Sequence, residues 1–285
     1  MVKTLMPNDL EEALHFMAKE KPLIINGGTD LMVQRRTASE MPLNLEEATL
    51  YLKHLNELDY IKKADQSVHI GATCVYETML YHQAIPKLFK ACLHLFASPG
   101  IRNIGTLAGN IGNASPAADG VLMLVLYNAK ITLKSKKETR IIPIQSLITG
   151  VKETTRNPDE LITDIEIETP PFTHTYFKKI GGRKSDAISK VSFAGGATLK
   201  NQRIKDIRLA FGAVNVTVVR DRAFEKTLMG QSVQQLQQNI EAIKTHYATL
   251  IRPIDDQRST ARYRKKVALN LCEAFIASLL EETDG

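Results

Sequence analysis

Several features that announce common protein classes are missing from this 285-residue chain. It has three cysteines, Cys74, Cys92 and Cys272, far apart and in no CxxC pair. A disulfide scaffold is therefore excluded, and neither a zinc ribbon nor a chain-borne iron–sulfur cluster is supported. Buried thiols in a reducing compartment are the expectation. The seven histidines show no metal-ligand spacing such as HxxxH. There is no GxGxxG fingerprint, no Walker A loop and no GxSxG elbow, so hydrolytic chemistry has little support. No apolar run approaches the ~18 residues that span a bilayer. The amino terminus is amphipathic and carries acids, unlike a signal or transit peptide. A cytoplasmic protein with no membrane association is expected.

A concentrated basic stripe is also missing. Lys and Arg number 37 against 31 Asp and Glu, a net charge of 37 − 31 = +6, but they are scattered. That pattern argues against nucleic-acid binding and for a solvated surface, or for docking to an acidic partner. What is present is the composition of an ordinary globular protein, 44% hydrophobic and 24% charged. The length suits two compact domains or one large one.

Asn8 or Asp9 can cap a first helix on which Leu10, Ala13, Leu14 and Met17 recur at helical spacing. Leu23, Ile24 and Ile25 read as a buried strand that stops at two glycines, and Leu31 begins a helix. Residues 67–72 read as a strand, and Thr73 as the cap of a helix through Tyr76, Met79 and Leu80. A helix is expected over 89–96, broken at Ser98-Pro99-Gly100. Residues 130–134 alternate as a strand, and so do 161–167, with Leu161, Thr163, Ile165 and Ile167 on one face. Pro170-Pro171 marks a boundary. Three strands (175–179, 191–199 and 204–211) follow. Two helices close the chain, one presenting Leu236, Ile240, Ile243 and Tyr247, the other Tyr263, Val267, Leu271 and Ala274.

Three constellations carry chemistry. In Asn26-Gly27-Gly28-Thr29-Asp30, two adjacent glycines permit φ > 0, so that backbone N–H groups converge as a nest for phosphate or pyrophosphate. A plain strand-to-helix turn is the alternative. In the segment 105–119, small residues let a flat or phosphorylated ligand approach the backbone. Thr106, Asn110, Asn113 and Ser115 offer polar groups there, and Asp119 an acceptor for ribose or base. The alternative is a glycine-rich connector. The third groups Lys178, Lys179, Arg183, Ser185, Asp186 and Lys190, whose cations suit phosphate or a reduced flavin, or only solvated strand ends.

On these residues the chain resembles the FAD-binding (medium) subunits of molybdenum hydroxylases, the family of xanthine, aerobic carbon monoxide and nicotinate dehydrogenases. The resemblance rests on NGGTDL at 26–31, IRNIGTLAGNIGNASPAAD at 101–119, FKKIGGRKSDAISKVSFA at 177–194 and IGAT at 70–73, in family order. It implies an α+β fold. A two-lobed FAD-binding domain of the PCMH (vanillyl-alcohol-oxidase-like) type would occupy 1–171, with lobes of about 1–55 and 56–171. A smaller α+β domain of sheet packed on helices would occupy 172–285. Non-covalent FAD would lie between them.

The resemblance further implies that its pyrophosphate meets the backbone of Ile24, Ile25, Asn26, Gly27, Gly28, Thr29, Asp30 and Leu31. Thr106, Gly109, Asn110, Asn113 and Asp119 would hold phosphates, ribitol and ribose, and Ile101 and Ser115 would also contact the cofactor. Phe96 and Ile162 would line the cofactor, Lys178 would reach it from the carboxy-terminal domain, and Asp186 and Lys190 would lie near the ring. No residue is implied as an acid or base catalyst, and no metal ligand is expected on this chain. One departure stands out: many members read Thr-Ile-Gly-Gly-Asn where this chain has Thr106-Leu107-Ala108-Gly109-Asn110, which is compatible with binding if position 108 has ordinary dihedrals.

The implied role is electron transfer. Molybdopterin would sit on a large partner subunit and two [2Fe–2S] clusters on a small one. Electrons would pass through FAD to NAD+ or another acceptor within a dimer of heterotrimers. A xanthine-type system is the first expectation, with carbon monoxide, nicotinate or aldehyde oxidation as alternatives. A free-standing flavin dehydrogenase or oxidase is one rival reading. A flavin-free assembly subunit is another, opposed by the intact small residues Gly27, Gly28 and Gly109.

Overall fold

A computed structural model describes residues 3–36, 38, 41, 44–183 and 186–280. Ser185 lies outside the described residues. In chain order the helices are α1 (Leu10–Glu20), α2 (Leu31–Gln34), α3 (Tyr76–Tyr81), α4 (Lys87–His94), α5 (Pro99–Arg102) and α6 (Leu107–Asn113). They continue with α7 (Asp119–Leu126), α8 (Ile144–Leu147), α9 (Arg222–Leu228), α10 (Val233–Gln238), α11 (Ile240–Leu250) and α12 (Ala261–Ser278).

The chain forms two compact units that interleave in sequence. The first comprises Met1–Pro86, Ala97–Ala114 and Asn128–Glu168, and the second Lys87–Phe96, Ser115–Tyr127 and Thr169–Gly285. The contiguous division expected at 171/172 is a division of sequence; the packing assigns 87–96 and 115–127 to the unit of the carboxy-terminal residues.

In the first unit, β1 (Thr4–Leu5), β2 (Leu23–Ile25) and β3 (Thr49–Tyr51) form a parallel sheet ordered β1-β3-β2. The crossover helix α1 starts where expected: the Asp9 carboxylate accepts the Glu12 N–H at 2.8 Å, and Ala13, Leu14 and Met17 are buried. Next come β4 (Ile61–Lys63), β5 (Ser67–Gly71), β6 (Lys130–Lys134), β7 (Thr139–Pro143), a hairpin of β8 (Ile148–Gly150) and β9 (Glu153–Thr154), and β10 (Leu161–Glu168). Apart from that hairpin they form an antiparallel sheet ordered β4-β5-β10-β6-β7. Along β10 burial alternates with period two, with Leu161, Thr163, Ile165 and Ile167 inward as their spacing predicts.

In the second unit, β11 (His174–Ile180), β12 (Val191–Lys200) and β13 (Arg203–Gly212) form an antiparallel sheet in chain order. One face carries an aromatic core in which Phe193 contacts Phe211 and Phe275, and Phe211 contacts Tyr247. Helix α7, every residue of which is buried, packs on β12 and β13 on the opposite face, where Leu122 meets Gly212. Its far end is tied down by cations: Arg208 donates to the Leu126 carbonyl at 3.1 Å and Arg220 to that of Val125 at 2.7 Å.

The local structure departs from the sequence reading in four places. Thr73 caps no helix. Its hydroxyl donates to the Leu55 carbonyl, and α3 begins after Val75 without a side-chain cap. The segment read as small residues lining a ligand, or as a glycine-rich connector, is helical over 107–113, because Thr106 caps it and Leu107, Ala108 and Ile111 give it a buried side. The penultimate helix is split into α10 and α11 at Asn239, which has φ −93° and ψ 11°. On α12 the inward side is Arg264, Ala268, Leu271, Cys272, Phe275 and Ile276, while Tyr263 and Ala274 are exposed. Arg264 faces inward because its guanidinium pairs with Asp256 at 2.6 Å and reaches the Ala213 carbonyl.

Candidate functional site

In the first unit, β2 runs straight into the loop 26–30. Gly27 packs flat on the Ile104–Gly105 peptide: a Cβ would overlap the Ile104 oxygen and come 2.9 Å from the Gly105 Cα. Gly28 has φ +68°, the left-handed conformation that glycine adopts without steric cost. The loop curls so that the backbone N–H groups of Gly27, Gly28, Thr29, Asp30 and Leu31 find no acceptor among the described residues. Five unpaired donors in succession, all on half-buried residues except the exposed Asp30, are a nest for an anion. Asn26 is pinned beneath them, its side-chain amide donating to the Ala72 carbonyl at 2.7 Å and its Oδ1 buried without a partner.

The second motif folds beside this loop within the same unit. Gly105 donates to the Ile101 carbonyl at 2.7 Å and accepts from the Tyr76 N–H at 3.1 Å. The Thr106 hydroxyl accepts the Gly109 N–H at 3.1 Å and starts α6. One turn on, Asn110 holds a buried Oδ1 with no partner. Asn113 accepts from Gln34 at 3.0 Å, Gln34 also donates to Asp30, and Lys152 donates to Gln34 at 2.5 Å. This chain of contacts brings Asp30 and Asn113 together. Ile162 is half-buried on β10, opposite the inward set.

The second unit contains a buried charge cluster. Asp119, at the first position of α7, is 3% exposed. Its Oδ1 accepts the Ser189 hydroxyl at 2.7 Å and its Oδ2 lies 2.9 Å from the Lys179 ammonium. Lys179 donates as well to the Leu95 carbonyl at 3.1 Å. Burial pushes the Cys92 thiol well above its ordinary range, with the Asp119 charge adding to the effect; the thiol donates to the Asp119 backbone carbonyl at 3.7 Å. Cys74 and Cys272 are buried too, and burial raises each to about 12, so none of the three is a reactive thiolate.

The FAD-binding domain family of molybdopterin dehydrogenases matches residues 1–170, and the carboxy-terminal domain family of carbon monoxide dehydrogenase flavoproteins matches 175–279. The chain belongs to this family. It is 30% identical to the glyceraldehyde dehydrogenase medium chain of Sulfolobus acidocaldarius over 263 residues, covering 90% of this chain and 91% of that one. The nicotinate dehydrogenase FAD-subunit of Eubacterium barkeri is 28% identical, with 98% and 96% covered. In fold, a chain of the reconstituted CO dehydrogenase from Oligotropha carboxidovorans superposes with a TM-score of 0.89 at 21% identity, over 99% of both chains.

The residues of this family member fit a bound FAD by their own structure. The nest offers unpaired donors to an anion, the flat Gly27 contact leaves no side chain in the way, and two buried asparagine oxygens await donors. Ala108, the departure from the family pattern, is buried within α6 and is absent from the residues with positive φ.

In the second unit, the Ser115 hydroxyl accepts the Ala117 N–H at the turn before α7. Phe96 directly follows Leu95. Lys178 is exposed, in register with Phe193 and Phe211 on the aromatic face. Lys179 shares its row with Ser192 and Gly212 on the α7 face, which is why it reaches Asp119. Asp186 is exposed with φ 46°, and Lys190 is half-buried, its N–H donating to Ile180 at 2.8 Å.

Four residues escaped the sequence reading: Gln34, Lys152, Lys179 as a partner of Asp119, and Ser189. One signal was available for Lys179. An acid opening the otherwise apolar run 119–126 has to find a cation if it is buried, and Lys179 sits on the strand face opposite that of Lys178.

Proposed function

We propose that this chain is the electron-transfer subunit of a molybdenum hydroxylase, holding FAD non-covalently. The nest of unpaired N–H groups from Gly27 to Leu31, seated on the 104–105 peptide, carries the reading. In it the loop donors take the cofactor's pyrophosphate, with Asn26 as a rigid floor. Thr106, Gly109, Asn110 and Asn113 hold its polar chain, and the free Oδ1 atoms of Asn26 and Asn110 accept its hydroxyls or N–H groups. Ile101 and Ile162 supply apolar contacts. Ser115, Asp119, Phe96, Lys178, Asp186 and Lys190 are assigned to the cofactor by the family resemblance.

When bound, FAD supplies the capacity to take electrons singly and release them as a pair. The chain itself contributes binding, orientation and exclusion of water, with no side chain required as an acid or base. Its partners in this reading are a molybdopterin-binding large subunit and a [2Fe–2S] small subunit, arranged as a dimer of heterotrimers, with NAD+ or another electron acceptor at the end of the chain. Substrate choice lies with the large subunit: relatives of similar identity are named for glyceraldehyde and for nicotinate. A xanthine-type substrate is tested on that subunit. A cytoplasmic setting agrees with three buried free thiols, and no helix among the described residues is long and apolar enough to cross a membrane.

The test is to incubate the purified chain with excess FAD, desalt it and record its absorption. Retention of a flavin band, with FAD rather than FMN released on denaturation, is the expected outcome. A folded chain that keeps no flavin, alone or with its partner subunits, would overturn the reading.

A further inference from the structure

Most charged side chains of the second unit lie at its surface, but Lys179 and Asp119 do not: their side chains are 9% and 4% exposed. We propose that Lys179 is a positioning residue whose buried ammonium fixes the FAD-facing segments of this unit. The inference rests on the FAD-binding reading above and names a residue and a device that go beyond it.

The geometry is a three-way junction. The ammonium meets Asp119 at the head of α7 at 2.9 Å and the Leu95 carbonyl just past the end of α4 at 3.1 Å. Through Asp119 it also holds Ser189, 1% exposed, at 2.7 Å. Each point of attachment adjoins a residue assigned to the cofactor. Leu95 precedes Phe96, Ser189 precedes Lys190, and Lys179 itself follows Lys178. Three segments distant in sequence thus take their positions from one cation.

A stability role alone explains this arrangement poorly. Removing an ammonium and a carboxylate from water is costly, and well-packed apolar pairs of the same size often serve a fold as well or better. The pair does offer directional bonds. Apolar contacts would let 95–96 and 189–190 slide, whereas an N–H bond to a carbonyl and an O–H bond to a carboxylate fix distance and angle. The row occupied by Lys179, shared with Ser192 and Gly212, is the β11 row that faces α7. The neighbouring Lys178 faces the other way and cannot take its place.

The experiment uses the full chain and titrates FAD into wild type, Lys179→Met, Ser189→Ala and the charge-neutral double variant Lys179→Met/Asp119→Asn. Folding is followed by far-ultraviolet circular dichroism, and the bound flavin by its visible circular dichroism. Lys179→Met should bind FAD about tenfold or more weakly at temperatures where it stays folded. Ser189→Ala, which touches the cofactor only through Asp119, should weaken binding several-fold and alter the visible dichroism of the flavin that still binds. The double variant should recover stability, which separates the folding cost of an unpaired buried charge from the effect on binding. Wild-type affinity and an unchanged flavin spectrum in Ser189→Ala, or wild-type affinity in a folded Lys179→Met, would overturn the inference. If Lys179→Met fails to fold, Ser189→Ala decides. Failure of the wild-type chain to take up FAD, alone or with its partner subunits, would overturn the binding reading and this inference together, whereas wild-type uptake with unaltered variants overturns this inference alone.

Discussion

Gly27 and Gly105 touch backbone to backbone: a methyl group on Gly27 would stand 2.9 Å from the Gly105 Cα and overlap the neighbouring Ile104 oxygen. The two motifs of the first unit therefore meet without a side chain between them. Gly27→Ala should push the loop off the 104–105 peptide, at about 1–3 kcal/mol for overpacking against a backbone that cannot yield. FAD retention after desalting should fall sharply, and thermal melting should register the lost stability. Wild-type retention would show that the contact can open without harm to the nest.

Gly28 is constrained by dihedral angle rather than by space, since its φ is +68° and the nearest atoms to an added Cβ, on the Met32 side chain, are 3.4 Å away. A β-branched residue there costs about 1–3 kcal/mol of backbone strain, while asparagine visits this region readily. Gly28→Val should leave a folded chain that no longer retains flavin, and Gly28→Asn should retain it. Full FAD occupancy in Gly28→Val would sink the nest.

Ala108 occupies an ordinary helical position, so the family's glycine is not needed there. Ala108→Gly should lower stability by about 0.5–1 kcal/mol, the usual penalty for glycine inside a helix. FAD affinity should not move. A gain in affinity would mean that the methyl group obstructs the cofactor.

Glu160, 1% exposed, accepts from Arg140 Nε at 2.6 Å and Nη2 at 2.8 Å and from the Asn157 N–H at 2.6 Å. The Arg140 hydrogen bonds chiefly hold its carboxyl below the ordinary 4.5. A carboxyl depressed in the folded state stabilises above its unfolded value and loses that contribution as acid protonates it. Wild-type stability should thus decline as the pH drops below about 4.5 and level off beneath the lowered folded value. Glu160→Gln should be less stable at neutral pH by about 1–3 kcal/mol and flatter across the acid range. Equal acid sensitivity in both chains, measured by denaturant melts from pH 7 to 3, would assign the decline to other carboxyls.

The parts of the fold written as periodicity were legible in the sequence. The alternation of 161–167 placed β10, the Asp9 cap placed α1, and the glycine pair at 27–28 marked the loop. Where tertiary context overrides propensity, the sequence was silent. Glycines at 109 and 112 disguise α6, whose formation depends on the Thr106 cap and three buried residues. Arg264 reads as a solvent residue until its partner Asp256 is seen. At the candidate site, the motif Phe177-Lys178-Lys179 offers two lysines on opposite strand faces, and only the position of α7 shows which one meets Asp119. The amide network of Asp30, Gln34 and Asn113 spans 79 positions between Gln34 and Asn113 and has no sequence signature.

Helix α7 lies inside the stretch that matches the FAD-binding family, yet packs on β12 and β13, which lie in the stretch that matches the other. Its eight buried residues therefore have to match the strands they pack on. A recombinant that joined residues 1–170 of one homologue to the remainder of another would bring a foreign rod into a groove shaped for its own. Flavin subunits of this kind should therefore be exchanged between complexes whole, and a library shuffled at Pro170 should yield few soluble members.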